Sequence, residues 1–355
     1  MDRKAPNDTA ATPAKKITMK HIAEYLNIDR TTVSKAMAST PGVSDKTVRM
    51  VRQAAEELGY RKDIIASSLM TGKNALLGIV LADMWRGIYA PFVDSFQKSA
   101  YKNGYGVILQ YVDKRTIGVR QAIEVLKQQR ISGVTFISGA TSEEDNPALI
   151  ELAESGVAVN TTVRDLLHDR IDTIHFDNRN AGYEAAMHLI ELGHRNIVFM
   201  GENRVNLTMS QRFQGYKQAV EENGLPSQLV ETHENVWPKG MDVQTAYRLA
   251  KQLWTGQPKP DAIIGGNDNI ALGVLFALKE EGVHVPQQVS LLGFDDLYAI
   301  LAVPQLTSMR MPIMESGTTA VELLMERLNN PAKQAEAIKL AYEKIVRDST
   351  AAAVK

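Results

Sequence analysis

Two fold classes are predicted to follow one another in this chain: a small all-α head, then an α/β body of two similar lobes. Three observations predict them. Residues Thr18 to Ala38, TMKHIAEYLNIDRTTVSKAMA, read as two short helices around a sharp turn. From Ala75 onward, short apolar runs of strand length alternate with segments of helical spacing. The 355 residues also exceed what one ordinary core organises.

In the head, Thr18 can cap a first helix whose Ile22, Ala23 and Leu26 form one apolar stripe. Asn27 breaks it, Ile28 plugs the turn, and Asp29 can accept from the free amides of the next helix. Val33, Ala36 and Met37 repeat the inward stripe. Arg30, Thr31, Thr32, Ser34 and Lys35 remain outside, with no aromatic or carboxylate blocking them. These types donate to base edges and phosphates, and they stand at the N-terminal end of the second helix of a helix-turn-helix, where such a unit reads the major groove. As an isolated match the stretch could equally be a pair of solvated helices. A third helix, capped by Ser44, burying Val48, Val51, Ala55 and Leu58 and ending at Gly59, favours a DNA-binding head.

Charge separates along the chain in the same sense. Lys15 to Lys62 holds 10 basic and 5 acidic residues, whereas Ala75 to Lys355 holds 27 and 33, so a net charge of −1 hides a positive head on a negative body. With no cysteine, neither a disulfide framework nor a thiolate site is available. Residues 1–16 are polar and rich in Ala, Pro and Thr, which reads as a disordered tail and not a signal peptide, so a cytoplasmic protein without membrane contact is expected.

In the body, LLGIVLA, YGVILQYV, GVTFIS and VAVNTTV have the character of buried parallel strands, with helical segments between them. The pattern restarts after Gly193 with NIVFMGEN, LVETHENV, DAIIGGND and VSLLGFDD. Helix IMESGTTAVELLMERLN follows that second set, so the chain is expected to cross back to the first lobe near Leu306 to Met309. Ligands of open α/β sheets bind outside the carboxyl ends of strands. Asp83, Asp177, Asn203, Asn206, Asn267, Asp268, Asp295 and Asp296 stand at such ends. Each Asp could instead cap the helix that follows, Asp268 above all. Carboxylates, an amide and the guanidinium of Arg212 together can clasp vicinal hydroxyls, and Trp237 can stack on a sugar's C–H face. Trp85, Tyr89 and Phe92 follow the first strand and could be cleft wall or core.

Catalytic motifs are missing. The histidines, His21, His168, His175, His188, His194, His233 and His284, lack metal-site spacing, and there is no GxGxxG opening a helix after a strand, no Walker A run and no GxSxG elbow. Neither an enzyme nor a bound cofactor or metal is expected.

From Ile17 to about Thr350 the chain resembles the lactose and purine repressor family. TVSKAMA, PGVSDKTVRMV and AAEELGY match in the head, and FDN, RFQGY, GGNDNIALG and GFDD match in the body. The resemblance implies that Arg30, Thr31 and Lys35 read bases, with Thr18, Thr32 and Ser34 completing the DNA-binding set. IIASSLMTGKN is similar to the family's hinge, with Ala66 facing a dimer mate and Leu69 levering into the minor groove. Lys62-Asp63 departs from the usual Pro-Asn there. Asp177, Arg212, Asn267 and Asp295 match effector-contacting positions, Trp237 stands where the lactose repressor also has tryptophan, and Trp85, Tyr89 and Phe92 fall where the family lines the other wall.

The expected organisation is a tail at 1–16, a helix-turn-helix head at 17–63, a hinge helix and linker at 64–74, and a periplasmic-binding-protein-like body at 75–350. Its lobes are expected to take 75–193 with about 308–330, and 194–307 with about 331–350. The implied function is a repressor, binding a palindromic operator as a homodimer under control of a small effector, expected to be a mono- or oligosaccharide. Alternatives are a sugar-binding protein of transport type, a purine-type repressor needing a corepressor, and an architectural DNA-binding protein. The chain ends after YEKIVRDST with AAAVK and no heptad tail, which favours a dimer over a tetramer.

Overall fold

The computed structural model describes the chain except residues 1–16, 38–41, 59, 61–74, 83–86, 114–115, 138, 163–165, 167, 202–206, 232–242 and 355. The expected tail and hinge, with Ala66 and Leu69, lie outside the described residues, as do Asp83, Trp85, Asn203, Asn206 and Trp237. The chain divides into two compact units, Met1–Asn74 and Ala75–Lys355. Among the described residues no helix is long and apolar enough to cross a membrane.

The first unit contains α1 (Met19–Leu26), α2 (Arg30–Met37) and α3 (Asp45–Glu57). Asn27 ends α1 in the left-handed region at φ 50°, a conformation its short polar side chain tolerates. The Ser44 hydroxyl caps α3 by accepting from the Thr47 amide at 3.3 Å. Ile22, Val33, Ala36, Val51 and Ala54 form the shared core, with Ile28 packed at its margin. A helical period of 3.6 puts these residues on facing stripes and leaves the polar stripe of α2 to solvent.

The body holds two six-stranded sheets. The first is built from β1 (Leu76–Leu81), β2 (Gly106–Tyr111), β3 (Gly133–Phe136), β4 (Ala158–Thr162), β5 (Ile171–Phe176) and β11 (Ala337–Leu340), ordered β11-β5-β4-β3-β1-β2. The second contains β6 (Ile197–Met200), β7 (Leu229–Val230), β8 (Ala262–Gly265), β9 (Ser290–Asp295), β10 (Thr307–Arg310) and β12 (Glu343–Ile345), ordered β12-β10-β9-β8-β6-β7. All pairings are parallel except β10 with β12. Helices cover the sheets: α4 (Tyr89–Lys102), α5 (Val119–Gln128), α6 (Asn146–Glu154) and α11 (Ile313–Asn329) the first; α7 (Asn178–Glu191), α8 (Leu207–Glu222), α9 (Val243–Thr255) and α10 (Asp268–Glu280) the second. Strand residues alternate between the two faces, Leu77, Ile79 and Leu81 packing with Phe92 and Phe96 on one, Val80 with Leu126 and Val134 on the other. Burial on both faces is why these runs are continuously apolar.

The chain passes between sheets after β5, after β10 and after β11. Three expected boundaries move. Asn178–Glu191 already packs with Phe199 and Tyr216 in the second lobe, so the first crossing comes at Asp177 and not near 193. Thr307–Arg310 stays in the second sheet beside β9, so the return to the first lobe falls at Met311 and Pro312. Ala337–Leu340 pairs with β5 in the first sheet, so the last crossing comes at Ala341 and Tyr342 and not near 331. A buried ion pair anchors that extra strand. Arg327 on α11 donates to both oxygens of Asp172 at 2.9 and 2.7 Å, and Asp172 also accepts from the Glu336 amide at 2.9 Å, just before β11.

Candidate nucleic-acid interface and ligand site

On α2, Val33 and Ala36 are buried while Arg30, Thr31, Ser34 and Lys35 are exposed and Thr32 is half-buried. One carboxylate sets the start of this helix. Asp29 Oδ1 accepts from the Thr31 amide at 2.7 Å and from the Thr31 hydroxyl, and these bonds, the hydroxyl's first, hold its carboxyl below the usual range. The Thr31 hydroxyl is thus already a donor within the helix cap. Arg30 and Lys35 have no such internal partner among the described residues, so their charges are free for phosphates and base edges. Thr18 is exposed at the start of α1, its amide donating to His21 Nδ1 at 2.9 Å.

In the body, the polar cluster is built by two helices that cross closely. A Cβ on Gly182 of α7 would sit 1.9 Å from the Arg212 carbonyl, and one on Gly215 of α8 would sit 1.8 Å from the Arg179 carbonyl. Glycine at both positions lets the backbones meet, which explains the glycine of RFQGY and brings Arg212 to the start of α7. Arg212 is 2% exposed. Its guanidinium donates to Asn178 Oδ1 (3.4 Å), the Gly266 carbonyl (2.6 Å), Asp295 Oδ1 (2.8 Å) and the Tyr342 hydroxyl (2.8 Å). It also lies over the Phe294 ring, 4.6 Å from the centroid. Burial opposes the charge, but Tyr342 and Asp295 outweigh it and raise the Arg212 pKa. The Tyr342 hydroxyl, buried between Arg212 and Asn178, is pushed up to about 12 by that burial. Asn178 begins the segment after β5 and Tyr342 lies between β11 and β12, so one arginine ties two of the three crossings to the ends of β8 and β9.

The remaining residues separate into caps, core and free polar groups. Asp177 caps α7, accepting from the Asn180 amide at 3.4 Å, and pairs with Lys339 at 3.1 Å. Asn267 caps α10 through Oδ1, which accepts from the Ile270 amide at 2.8 Å. The cap expected of Asp268 therefore belongs to its neighbour. Asp268 is itself buried, accepting from the Ser308 hydroxyl (2.9 Å) and from the amides of Leu297 (2.8 Å) and Tyr298 (3.3 Å). Burial first, then the nearby Asp295, pushes its pKa up to about 7. Those bonds brace a strained turn, for Asp295 and Asp296 have φ of 92° and 56°, at roughly 1–3 kcal/mol each. Asp296 is consumed by Arg310 (2.8 Å) and Arg347 (2.6 Å).

Phe92 corrects the expected wall: it is 0% exposed and stacks on Phe96 at 5.9 Å inside the first-lobe core, because the inward stripe of α4 carries it beneath the sheet. Tyr89, at the start of α4, is likewise buried in that core. What stays available is the Asn267 side-chain amide nitrogen and Asp295 Oδ2, which have no partner among the described residues and stand just past β8 and at the end of its neighbour β9. Asn178 and Tyr342 were missed, and Asp268 was read as a cap and not as a buried brace. Asn178 had a signal in the FDN run; Tyr342 lies 130 residues from its arginine and had none.

Comparisons with known proteins fit both units. Residues 18–63 match the bacterial regulatory proteins of the lacI family, and residues 186–350 match the periplasmic binding protein-like domain. Catabolite control protein A of Priestia megaterium is 27% identical over 336 residues, 94% of this chain and 99% of that protein. A lac repressor dimer bound to operator and an anti-inducer is similar in fold at a TM-score of 0.73, with 23% identity, over 95% of this chain and 100% of that one. A regulator from Enterococcus faecium with bound ribose has a TM-score of 0.68 and 24% identity, over 79% of this chain and 100% of that one. A helix-turn-helix head followed by a two-lobed α/β body of this type defines a DNA-binding transcription regulator. The chain carries a helix-turn-helix domain of the lacI type and a periplasmic binding protein-like domain.

Proposed function

We propose that this chain is a dimeric repressor whose affinity for a palindromic operator is set by a small sugar bound between the two lobes of the body. One observation carries the sugar reading. Asn267, just past the carboxyl end of β8, and Asp295, at the carboxyl end of the neighbouring β9, keep an amide donor and a carboxylate acceptor unpartnered among the described residues. Arg212 fixes the second oxygen of that carboxylate, so the free one is oriented. An oriented acceptor beside an amide donor pairs with neighbouring hydroxyls, and charge-assisted bonds of that kind are the strong ones. The regulator solved with bound ribose shares the fold, which supports a sugar as the class of ligand proposed. Head residues Arg30 and Lys35 supply the base and phosphate contacts, and a dimer supplies the second half-site. The expected head, hinge and body limits enter this reading as proposed, with the lobes redrawn at 177, 310 and 342.

A thermal-shift screen of the whole protein against mono- and disaccharides, sugar phosphates and nucleobases tests the site. A ligand at 100 times its Kd adds about 2.7 kcal/mol by mass action. The expected result is a raised transition with at least one sugar, lost in Asp295→Asn, whose response to ligand is read against its own ligand-free transition, itself lowered because Arg212 loses its counter-charge. A response confined to nucleobases would point to the purine-type alternative.

A further inference from the structure

Across the cleft, one side chain of the second lobe reaches the main chain of the first. Tyr298 lies between β9 and a short 3-10 turn, Ala299–Leu301, and Gly87 lies between β1 and α4. A Cβ placed on Gly87 would stand 2.1 Å from the Tyr298 hydroxyl oxygen and 3.0 Å from its Cζ. The ring therefore occupies the space any other side chain at 87 would need.

We propose that Tyr298 is a positioning residue, which fixes the spacing of the two lobes by seating its phenol ring on Gly87. Both ends are firmly held. Leu297 and Tyr298 donate their amides to the buried Asp268, and Ala299 is sealed in the second-lobe core. On the other side, Tyr89 and Phe92 lock the segment after Gly87 into the first-lobe core. In the first sheet the contact is set apart from the crossing that follows β5. The crossings leave from β5, β10 and β11, whereas β1 is separated from β5 by β3 and β4. A rotation of one lobe against the other moves Gly87 relative to Tyr298, so the contact exists in one arrangement of the lobes and is lost in others. It favours that arrangement before any ligand arrives, and weakening it shifts the population away.

This inference rests on the body being a two-state ligand cleft, but its test needs no sugar and so can fail separately from the sugar reading. The chain has no cysteine, so Tyr101→Cys on α4 and Lys217→Cys on α8 give two clean sites, one per lobe, for spin labels. Labelled chain is diluted into unlabelled chain so that only distances within one chain are read. The unaltered pair is expected to give a narrow distance distribution. Gly87→Ala, which displaces the ring without removing it, and Tyr298→Ala are each expected to lengthen and broaden it, with the thermal transition of Gly87→Ala unchanged because the displaced phenol has solvent to enter. Distributions that superimpose for all three proteins would overturn the proposal. Should Tyr298→Ala fail to fold, Gly87→Ala alone decides it.

Discussion

An Arg212→Met variant is expected to lose about 3–5 kcal/mol of folding stability, the cost of leaving one member of a buried charge pair without its partner. Methionine fills much of the same volume, so the loss isolates the guanidinium and not a cavity. Without it Asp295 has no counter-charge, and Asn178, Tyr342 and the Gly266 carbonyl each lose a donor. The expectation differs from that for a ligand-contacting arginine on a cleft wall, whose removal would spare the fold. At 2% exposure Arg212 holds one oxygen of Asp295, and in the proposed site it would bear on a ligand only through the other. Urea denaturation of the unaltered and variant proteins measures the difference. A loss under about 1 kcal/mol, the size of an exposed pair, would contradict the clasp.

Asp268 gives the second large effect, and its sign depends on pH. In the unfolded chain its carboxyl titrates near 3.9, whereas in the folded protein burial holds it at about 7. Below pH 4 both states are protonated and the shift contributes nothing. Between about pH 4 and 7 the unfolded chain releases the proton while the folded protein keeps it, so stability falls as pH rises through this window and levels above it. Asp268→Asn removes the titration while keeping an acceptor for the Leu297 and Tyr298 amides and adding a donor for the Ser308 hydroxyl. Relative to the unaltered protein, the variant should gain up to about 4 kcal/mol between pH 4 and pH 8. Denaturation midpoints of both proteins at those two pH values decide it; a difference that does not change with pH would mean that Asp268 ionises normally.

The head was legible in the sequence because its determinants are local. Asn27, Ser44 and the stripes of Ile22, Val33 and Val51 act within a turn or two of helix, and a 3.6 period reveals which face they share. The sheets were legible for a related reason: strands buried on both faces, such as Leu76–Leu81, must be apolar throughout. Ala337–Leu340 escaped because it is an edge strand, paired on one side only and mostly exposed, so no apolar run marks it. Polar residues at strand ends were found as a set, but their division of labour was not. Whether Asn267 or Asp268 caps α10 turns on which side chain the Leu297 and Tyr298 amides claim, and those lie about thirty residues away. The same limit hid Phe92, whose turn into the core is set by packing against Phe96 and α11.

If the body senses a small molecule and the head reads DNA, free energy must pass between them. Operator affinity of the full chain, measured on a duplex selected by the protein itself and at fixed salt, with and without the sugar that raises its thermal transition, tests this directly. A coupling of about 1–3 kcal/mol, a 5- to 150-fold change in affinity, is predicted, and by linkage the duplex must change the sugar's affinity by the same factor. Equal operator affinity with and without a sugar that demonstrably binds would contradict the account.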